Sequence, residues 1–292
     1  MARATMVLVA STALAAHATE GGGSVYPNGT ENFMAGALPP PGLYGMVFLQ
    51  NYRTTRVNGN DGQNLNVPGF SVTANVVAPR LVWVPGVQLL GGDMVVHVIA
   101  PLVDLQVHVA GNSQSKTGLG DLTTGIGIGY HHSPHLHSVV ALDLYLPTGG
   151  YHKADLANIG RNQFAVEPVY ALSYIDPAGL NADFKLGYIV NSRNKDTDYT
   201  SGGEFHSDFS LGWAVAKGWT AGVGGYVYQQ LTDDKSAGTS VANNKGRAFA
   251  LGPSVKYDSG TGWFATVKWQ AETAVRNRAQ GQALWVKAVF PL

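Results

Sequence analysis

Residues 162–192, NQFAVEPVYALSYIDPAGLNADFKLGYIVNS, decide the fold. In the first half Phe164, Val166, Pro168, Tyr170, Leu172 and Tyr174 share one face of an extended chain, and Gln163, Ala165, Glu167, Ala171 and Ser173 take the other. Val169 breaks the rule. After Asp176-Pro177-Ala178-Gly179 the pattern resumes, with Leu180, Ala182, Phe184, Leu186, Tyr188 and Val190 opposite Asn181, Asp183, Lys185, Gly187 and Asn191, and with Ile189 as its exception. Period 2 with one apolar face marks a half-buried strand. Asp-Pro-x-Gly between two such runs is turn chemistry: Pro presets φ and Gly accepts a positive one. The stretch is a β-hairpin with arms of about 12 residues, roughly twice the usual soluble strand. An apolar column on one side and charges on the other suit a wall with lipid outside and water inside.

Working outward from this hairpin, alternation and turn signals predict about twelve strands, near 42–56, 69–84, 93–110, 119–131, 137–147, 162–175, 180–192, 203–216, 218–231, 246–257, 262–275 and 282–291. Every second connection is longer and polar: 57–68, 111–118, 148–161, 193–202, 232–245 and 276–281. The others include very short turns, and Trp83, Tyr130, Tyr174, Trp213, Trp219 and Trp263 all lie close to them. Long loops at one end, short turns and an aromatic girdle at the other, and an even strand number predict an all-β, single-chain antiparallel transmembrane barrel. Closure is what removes the sheet edges that lipid cannot satisfy. By the usual orientation the short turns are periplasmic and the long loops face outward.

Composition agrees. The 292 residues include no Cys, 37 Gly and only 13% charged side chains, with zero formal net charge; soluble domains average about 25% charged. No run approaches the roughly 20 apolar residues of a spanning helix. A neutral balance excludes nucleic acid as a partner, because phosphate binding needs a basic surface. At the N-terminus Arg3, an apolar run over 5–16 and the small-x-small triplet Ala16-His17-Ala18 predict an export leader over residues 1–18, cleaved after Ala18. Residues 19–41 are rich in Gly, Pro and Asn and have no period. They read as an irregular arm ahead of a barrel over 42–292. Phe33, Met34 and Leu38 are its apolar anchors, expected to enter the lumen from the periplasmic side as a plug.

Two strands depart from simple alternation. In 69–84 the apolar set Phe70, Val72, Ala74, Val76 and Ala78 gives way after Pro79 to Leu81 and Trp83. In 93–110 His97 faces away from Val96 and Val98, and beyond Pro101 the inward parity is assigned to Asp104, Gln106 and His108. Proline has no ladder donor and is tolerated at bulges, so Pro79 and Pro101 are expected to bend the wall, either as two ordinary bulges that curve the barrel or, more sharply, as a weak seam.

The expected lumen residues are Asp104, His108, Asp121, Asp143, Glu167, Asp183, Lys185, His206, Asp208, Lys268, Glu272 and Lys287. Charges facing inward must pair or stay wet. His131, His132, His135 and His137 cluster at a periplasmic turn without a Cys or carboxylate, and read as solvent-exposed imidazoles; no metal or other cofactor is expected. No hydrolase or phosphate-loop motif is present. His206 and Ser207 are neighbours on a strand and so point to opposite faces, which rules them out as a nucleophile–base pair.

Several runs resemble one known family: EGGGSVYPNGTENFMAGALPPPG (20–42), DLYLPTG (143–149), DLANIGRN (155–162), NKDTDY (194–199), VGGY (223–226), KGR (245–247) and ALGP (250–253). Together they are similar to the transporter-like proteins of the meta-pathway of phenol degradation family, over nearly the whole chain after residue 18. The resemblance implies an outer-membrane barrel encoded with aromatic-degradation genes and a role in passive uptake of small hydrophobic, aromatic compounds. The expected partners are outer-membrane lipid and such a permeant, with the barrel acting as a monomer. The competing readings are a non-transporting structural barrel and a lipid enzyme active at the rim.

Overall fold

The computed structural model describes residues 19–292; the leader expected over 1–18 lies outside them. Twelve antiparallel strands close into a barrel. They are β1 (Gly42–Val57), β2 (Ser71–Val84), β3 in two pieces (Gly92–Ile99 and Leu102–Val109), β4 in two pieces (Asn112–Leu119 and Leu122–His131), β5 (Leu136–Leu146), β6 (Ala165–Ile175), β7 (Leu180–Asn191), β8 (Glu204–Ala216), β9 (Trp219–Gln230), β10 (Arg247–Asp258), β11 (Phe264–Arg276) and β12 (Ala279–Pro291). Each pairs with the next, and β12 returns to β1 with Tyr44 opposite Pro291 and Val57 opposite Ala279. Short strands of the long loops, Arg193–Asn194, Tyr199–Thr200, Asp234–Ser236 and Thr239–Val241, form a separate small sheet at the outer end.

Burial is inside-out relative to a soluble protein. Val190, Leu211, Trp213 and Val140 are more than half exposed, whereas Glu167, His206, Glu204 and Gln230 are fully buried. On β6 and β7 the exposed column is the apolar one read from the sequence, and Glu167, Ser173, Asp183 and Lys185 point inward. The two exceptions, Val169 and Ile189, also face the lumen, where Ile189 packs with Tyr26, Tyr145 and Ala165. Trp83, Trp213, Trp219 and Trp263 are exposed near the short turns, and Tyr257 links the Trp219 and Trp263 rings at 4.8 and 5.5 Å. These rings form the headgroup-level girdle of an outer-membrane barrel.

The wall differs from expectation at β2–β4. The polar run over 111–118 is not a loop: Ala110 and Gly111 make the turn, both with positive φ, as a tight hairpin turn of the primed type requires. Asn112–Leu119 then continues as the upper piece of β4. Neither proline marks an inserted residue. Val77 stands opposite Leu102 above them and Arg80 opposite Ile99 below, one unbroken register. The extra residue is on β4: between the pairs Ile99–Thr123 and Leu102–Leu119, β4 is one residue longer than β3, around Gly120–Asp121. Pro101 contributes by donating no hydrogen bond at the level where β3 divides.

Candidate functional site

The interior has two sides, and the arm builds one of them. Residues 19–41 run the length of the lumen rather than entering from below. Thr19 and Glu20 lie among the outer loops, hydrogen-bonded to Asp234 and Ser201. Leu38 packs with Val82, Val84 and Val95 near the periplasmic end, and the chain continues into β1 there. In between, the arm's backbone amides need acceptors, and inward carboxylates supply them. Asp208 accepts from the amides of Gly29 and Glu31, each at 2.8 Å, and from the Tyr26 hydroxyl. Asp183 accepts from the amides of Met34 (2.8 Å) and Ala35 (3.2 Å) and from Ser173. Lys287 bonds the Glu31 carboxylate at 3.0 Å and the Phe33 carbonyl at 2.9 Å. Lys268 bonds the Glu31 carbonyl at 2.8 Å.

The remaining inward charges pair with one another. Glu167 joins His206 at 2.8 Å, Lys185 at 3.4 Å and the Tyr145 hydroxyl. Asp143 joins His97 at 2.9 Å. Tyr26 is held between the His206 ring, stacked at 4.0 Å, and the Lys185 ammonium, 4.1 Å from its centroid. Phe33 is wholly buried, and the space above Gly212 holds its ring, so a side chain there would collide with it. Met34 lies against Lys256, with sulfur and ammonium nitrogen 3.6 Å apart. Low local dielectric makes such a network costly to leave half-made. The arm's side of the lumen is therefore filled by protein.

The other side is different. A cavity of about 1180 Å³ lies alongside the arm, against β1, β2, β3 and β5; Glu31, Arg80, His97, Asp143 and Lys185 border it, and its lining reaches down to Val95 and Val139. Its apolar lining includes Phe48, Val72, Val76, Val103, Leu105 and Trp285. Here the barrel wall has reversed polarity. Val103, Leu105, Val107 and Val109 face the cavity, so Asp104, Gln106 and His108 point outward, contrary to the sequence assignment. Asp104 is satisfied on that outer surface by Asn75 at 3.2 Å and Thr117 at 2.9 Å, and His108 by Ser71 at 3.2 Å. The outward residues of β2 change from polar Ser71, Thr73 and Asn75 to apolar Val77, Leu81 and Trp83 without any change of register. That switch marks the upper edge of the lipid belt, not a bulge. Glu272 borders this cavity too, accepting from Tyr52, Tyr226 and the Gly281 amide.

The upper piece of β4 has β3 on one side and no strand on the other. Its free edge is covered by the loop over 148–161 through side chains alone. Lys116 pairs with Asp155 at 2.6 Å, and Gln114 accepts from the Ala157 amide at 2.9 Å. Ile159 lies over Gly118, leaving tight clearance for any larger side chain there. Asp121, at the bulge, does not line an ion pair; it accepts from the amides of Gly149 (2.9 Å) and Arg161 (2.7 Å) and so pins both ends of the loop. Pro79 is exposed on the outer face and its carbonyl accepts from Ala100, whereas Pro101 lines the cavity and its carbonyl accepts from Gly120. The wall is closed at the two prolines. The free edge lies one strand further on, on upper β4.

Glu31, Arg80, Tyr26 and Asp234 escaped the sequence reading, and His97, read as facing away from Val96 and Val98, is not among the expected lumen residues. Arg80 shares the inward parity of Val76 and Ala78, a usable signal; Glu31 and Asp234 lie in aperiodic segments that carry none. At the periplasmic turn His131 and His137 share a 2.8 Å contact, while His132 bonds Ser138 and His135 bonds the Ile175 carbonyl. Among the described residues no three His, Cys, Asp or Glu side chains are grouped to hold a metal ion.

A closed twelve-stranded barrel with a lipid belt, an internal arm and an inner cavity is an outer-membrane protein. The family described as "Putative MetA-pathway of phenol degradation" matches residues 54–288, and the chain belongs to it. Among solved structures the chain is similar to the COG4313 outer membrane channel from Pseudomonas putida F1, with 19% identity and a TM-score of 0.76 over 92% of this chain and 100% of that one. It also resembles the translocator domain of autotransporter NalP from Neisseria meningitidis, with 11% identity and a TM-score of 0.50 over 88% and 91%. No curated protein matches by sequence.

Proposed function

We propose that this barrel is a passive channel for small hydrophobic, aromatic molecules, working as a monomer, and that the permeant leaves sideways rather than through the periplasmic end. The apolar cavity beside the part of the lumen filled by the arm carries the reading. A hydrophobic molecule gains free energy by leaving water for an apolar lining, about 25 cal/mol per Å² buried. It gains nothing by crossing the ionic groups that border the cavity, where residues 26–36 act as a plug. The free edge of upper β4, covered only by contacts with one loop, offers a lateral way out that runs down to the upper edge of the lipid belt at the Gly120–Asp121 bulge, next to Pro101. Membership of a family associated with phenol degradation supports an aromatic permeant.

Reconstituted into liposomes, the protein should pass phenols and alkylbenzenes faster than sugars of similar size. Deleting residues 19–38 should raise leakage of small polar solutes. Tying the loop to β4, by cross-linking Lys116→Cys to Asp155→Cys with a bis-maleimide spacer, should slow aromatic uptake and leave polar leakage unchanged. Unchanged leakage after the deletion would sink the plug. Undiminished aromatic flux in the cross-linked barrel would sink the lateral route. Equal permeability to aromatics and sugars in the parent protein would overturn the channel's selectivity.

A further inference from the structure

Against the outer end of the arm, the loop over 232–245 carries a buried carboxylate with no cation among the described residues. Asp234 has no exposed surface. It accepts from the Tyr199 hydroxyl at 2.6 Å, the Asn244 amide at 2.6 Å, the Gly202 backbone at 2.7 Å and the Gln230 amide at 2.7 Å. All are neutral donors, and no Lys, Arg or His among the described residues forms an ion pair with it. Burial and hydrogen bonding to Asp234 raise the Tyr199 hydroxyl's pKa, which keeps it a donor at neutral pH. The fifth donor is the backbone nitrogen of Thr19, 3.3 Å away. That distance is long for a bond to a carboxylate, for which charged donors usually approach to about 2.7–2.9 Å.

Thr19 is itself out of place as an internal residue. It is 2% exposed and has φ of 62°. A β-branched residue rarely adopts positive φ, because its Cβ then crowds the preceding peptide group. The residue ahead of it completes the small-x-small triplet Ala16-His17-Ala18. We infer that the chain is processed between Ala18 and Thr19, and that the α-ammonium so created is the counter-ion of Asp234, fastening the arm to the outer loops. Hydrolysis by a leader-removing peptidase breaks the Ala18–Thr19 peptide bond. The hydroxide of water goes to the Ala18 carbonyl, leaving a carboxylate, and the nitrogen of Thr19 gains a proton from water and a second from solvent to become ammonium.

Cleavage resolves both anomalies at once. The crowding peptide group is gone, and a neutral amide becomes a cation beside a buried anion. The ammonium is also well placed to hold the loops together. The neighbouring Glu20 bonds Tyr151 at 3.1 Å and Asn194 at 2.7 Å through its carboxylate, and its amide donates to Ser201. Thr19 and Glu20 thus join the loops over 148–161, 193–202 and 232–245 at one point, above the cavity. This inference is independent of what the barrel transports.

Expressed with its leader and extracted from outer membranes, the protein should give an intact mass that begins at Thr19. Brief acylation at pH 7 with an amine-reactive ester, read by peptide mass spectrometry, should modify the Thr19 amine at least about tenfold more slowly in the folded barrel than after unfolding, tenfold being about 1.4 kcal/mol of protection. Asp234→Asn should restore fast acylation in the folded state while the lysines of the barrel keep their own rates. A mass starting at any other residue would overturn the inference. So would equal acylation of folded and unfolded parent protein, a comparison that holds even if Asp234→Asn fails to fold.

Discussion

The wall from β6 to β9 and the wall from β2 to β4 are made of the same hairpins, yet they obey opposite rules. Along β6–β9 lipid meets Tyr170, Leu211 and Val223, and charge faces inward, where Glu167, Asp183, Lys185, His206 and Asp208 grip the arm. In the upper part of β2–β4 the valines and Leu105 face inward to an open cavity, and Asp104, His108, Ser113, Ser115 and Thr117 face outward. What surrounds each face sets its polarity, and the arm fills only one side of the lumen. A barrel can thus be a polar, packed plug on one flank and an apolar vestibule on the other.

The largest expected effect tests the packed flank. Glu167→Ala leaves His206 and Lys185 facing a buried void with no anion, and breaking a buried ionic network in this way typically costs about 3–5 kcal/mol. Leu105→Ala, in the vestibule wall, removes a side chain that borders open space and should cost less than half as much. Equilibrium unfolding by denaturant in a membrane-mimetic system measures both. If Leu105→Ala is as damaging as Glu167→Ala, the vestibule is packed, and the contrast between the flanks fails.

An intermediate effect tests the outer faces. Leu186→Arg places a charge in the lipid belt and should cost about 2–4 kcal/mol. Thr73→Arg also points outward, but lies above the switch at Val77, and should cost about 0–1 kcal/mol. Equal losses would mean that lipid covers both positions and that the polar outer surface of β2–β4 needs another explanation.

How much of this was legible in the sequence follows the same divide. From β6 to β12 the strands could be read to within a few residues, because one rule, apolar toward lipid, applies along each of them. The rule fails where an apolar cavity lies inside. Applied to 102–109, it put Asp104 and His108 in the lumen when the valines take that place. Applied to 112–119, it turned a strand into a loop, although Ser113, Ser115 and Thr117 alternate with Gln114, Lys116 and Gly118. The arm's apolar anchors were visible as Phe33, Met34 and Leu38. Its polar fastenings were not, since they are backbone amides bonded to distant carboxylates, and nothing local in the sequence encodes a contact between Glu31 and Asp208.

The smallest expected effect concerns the latch on the free edge of β4, where Lys116 meets Asp155. The hydrogen bond from Lys116, assisted by Gln114, holds the Asp155 carboxyl below the usual carboxylate range. A lowered pKa means that the latch contributes fully above the ordinary carboxylate pKa and is lost only as pH falls through the lowered value in the folded protein. At neutral pH the latch is therefore closed. Asp155→Asn imitates its protonated state without acid, and because the pair is partly solvated the thermal midpoint should not move measurably. Aromatic flux should rise by about two- to fivefold, the scale of an exposed ion pair, and the parent protein should gain the same flux only at a pH below the carboxylate range. If Asp155→Asn lowered the thermal midpoint by several degrees, the loop would be part of the wall's stability. If it left flux unchanged at every pH, the edge of β4 would be covered by something stronger than this latch, and the permeant would have to leave elsewhere.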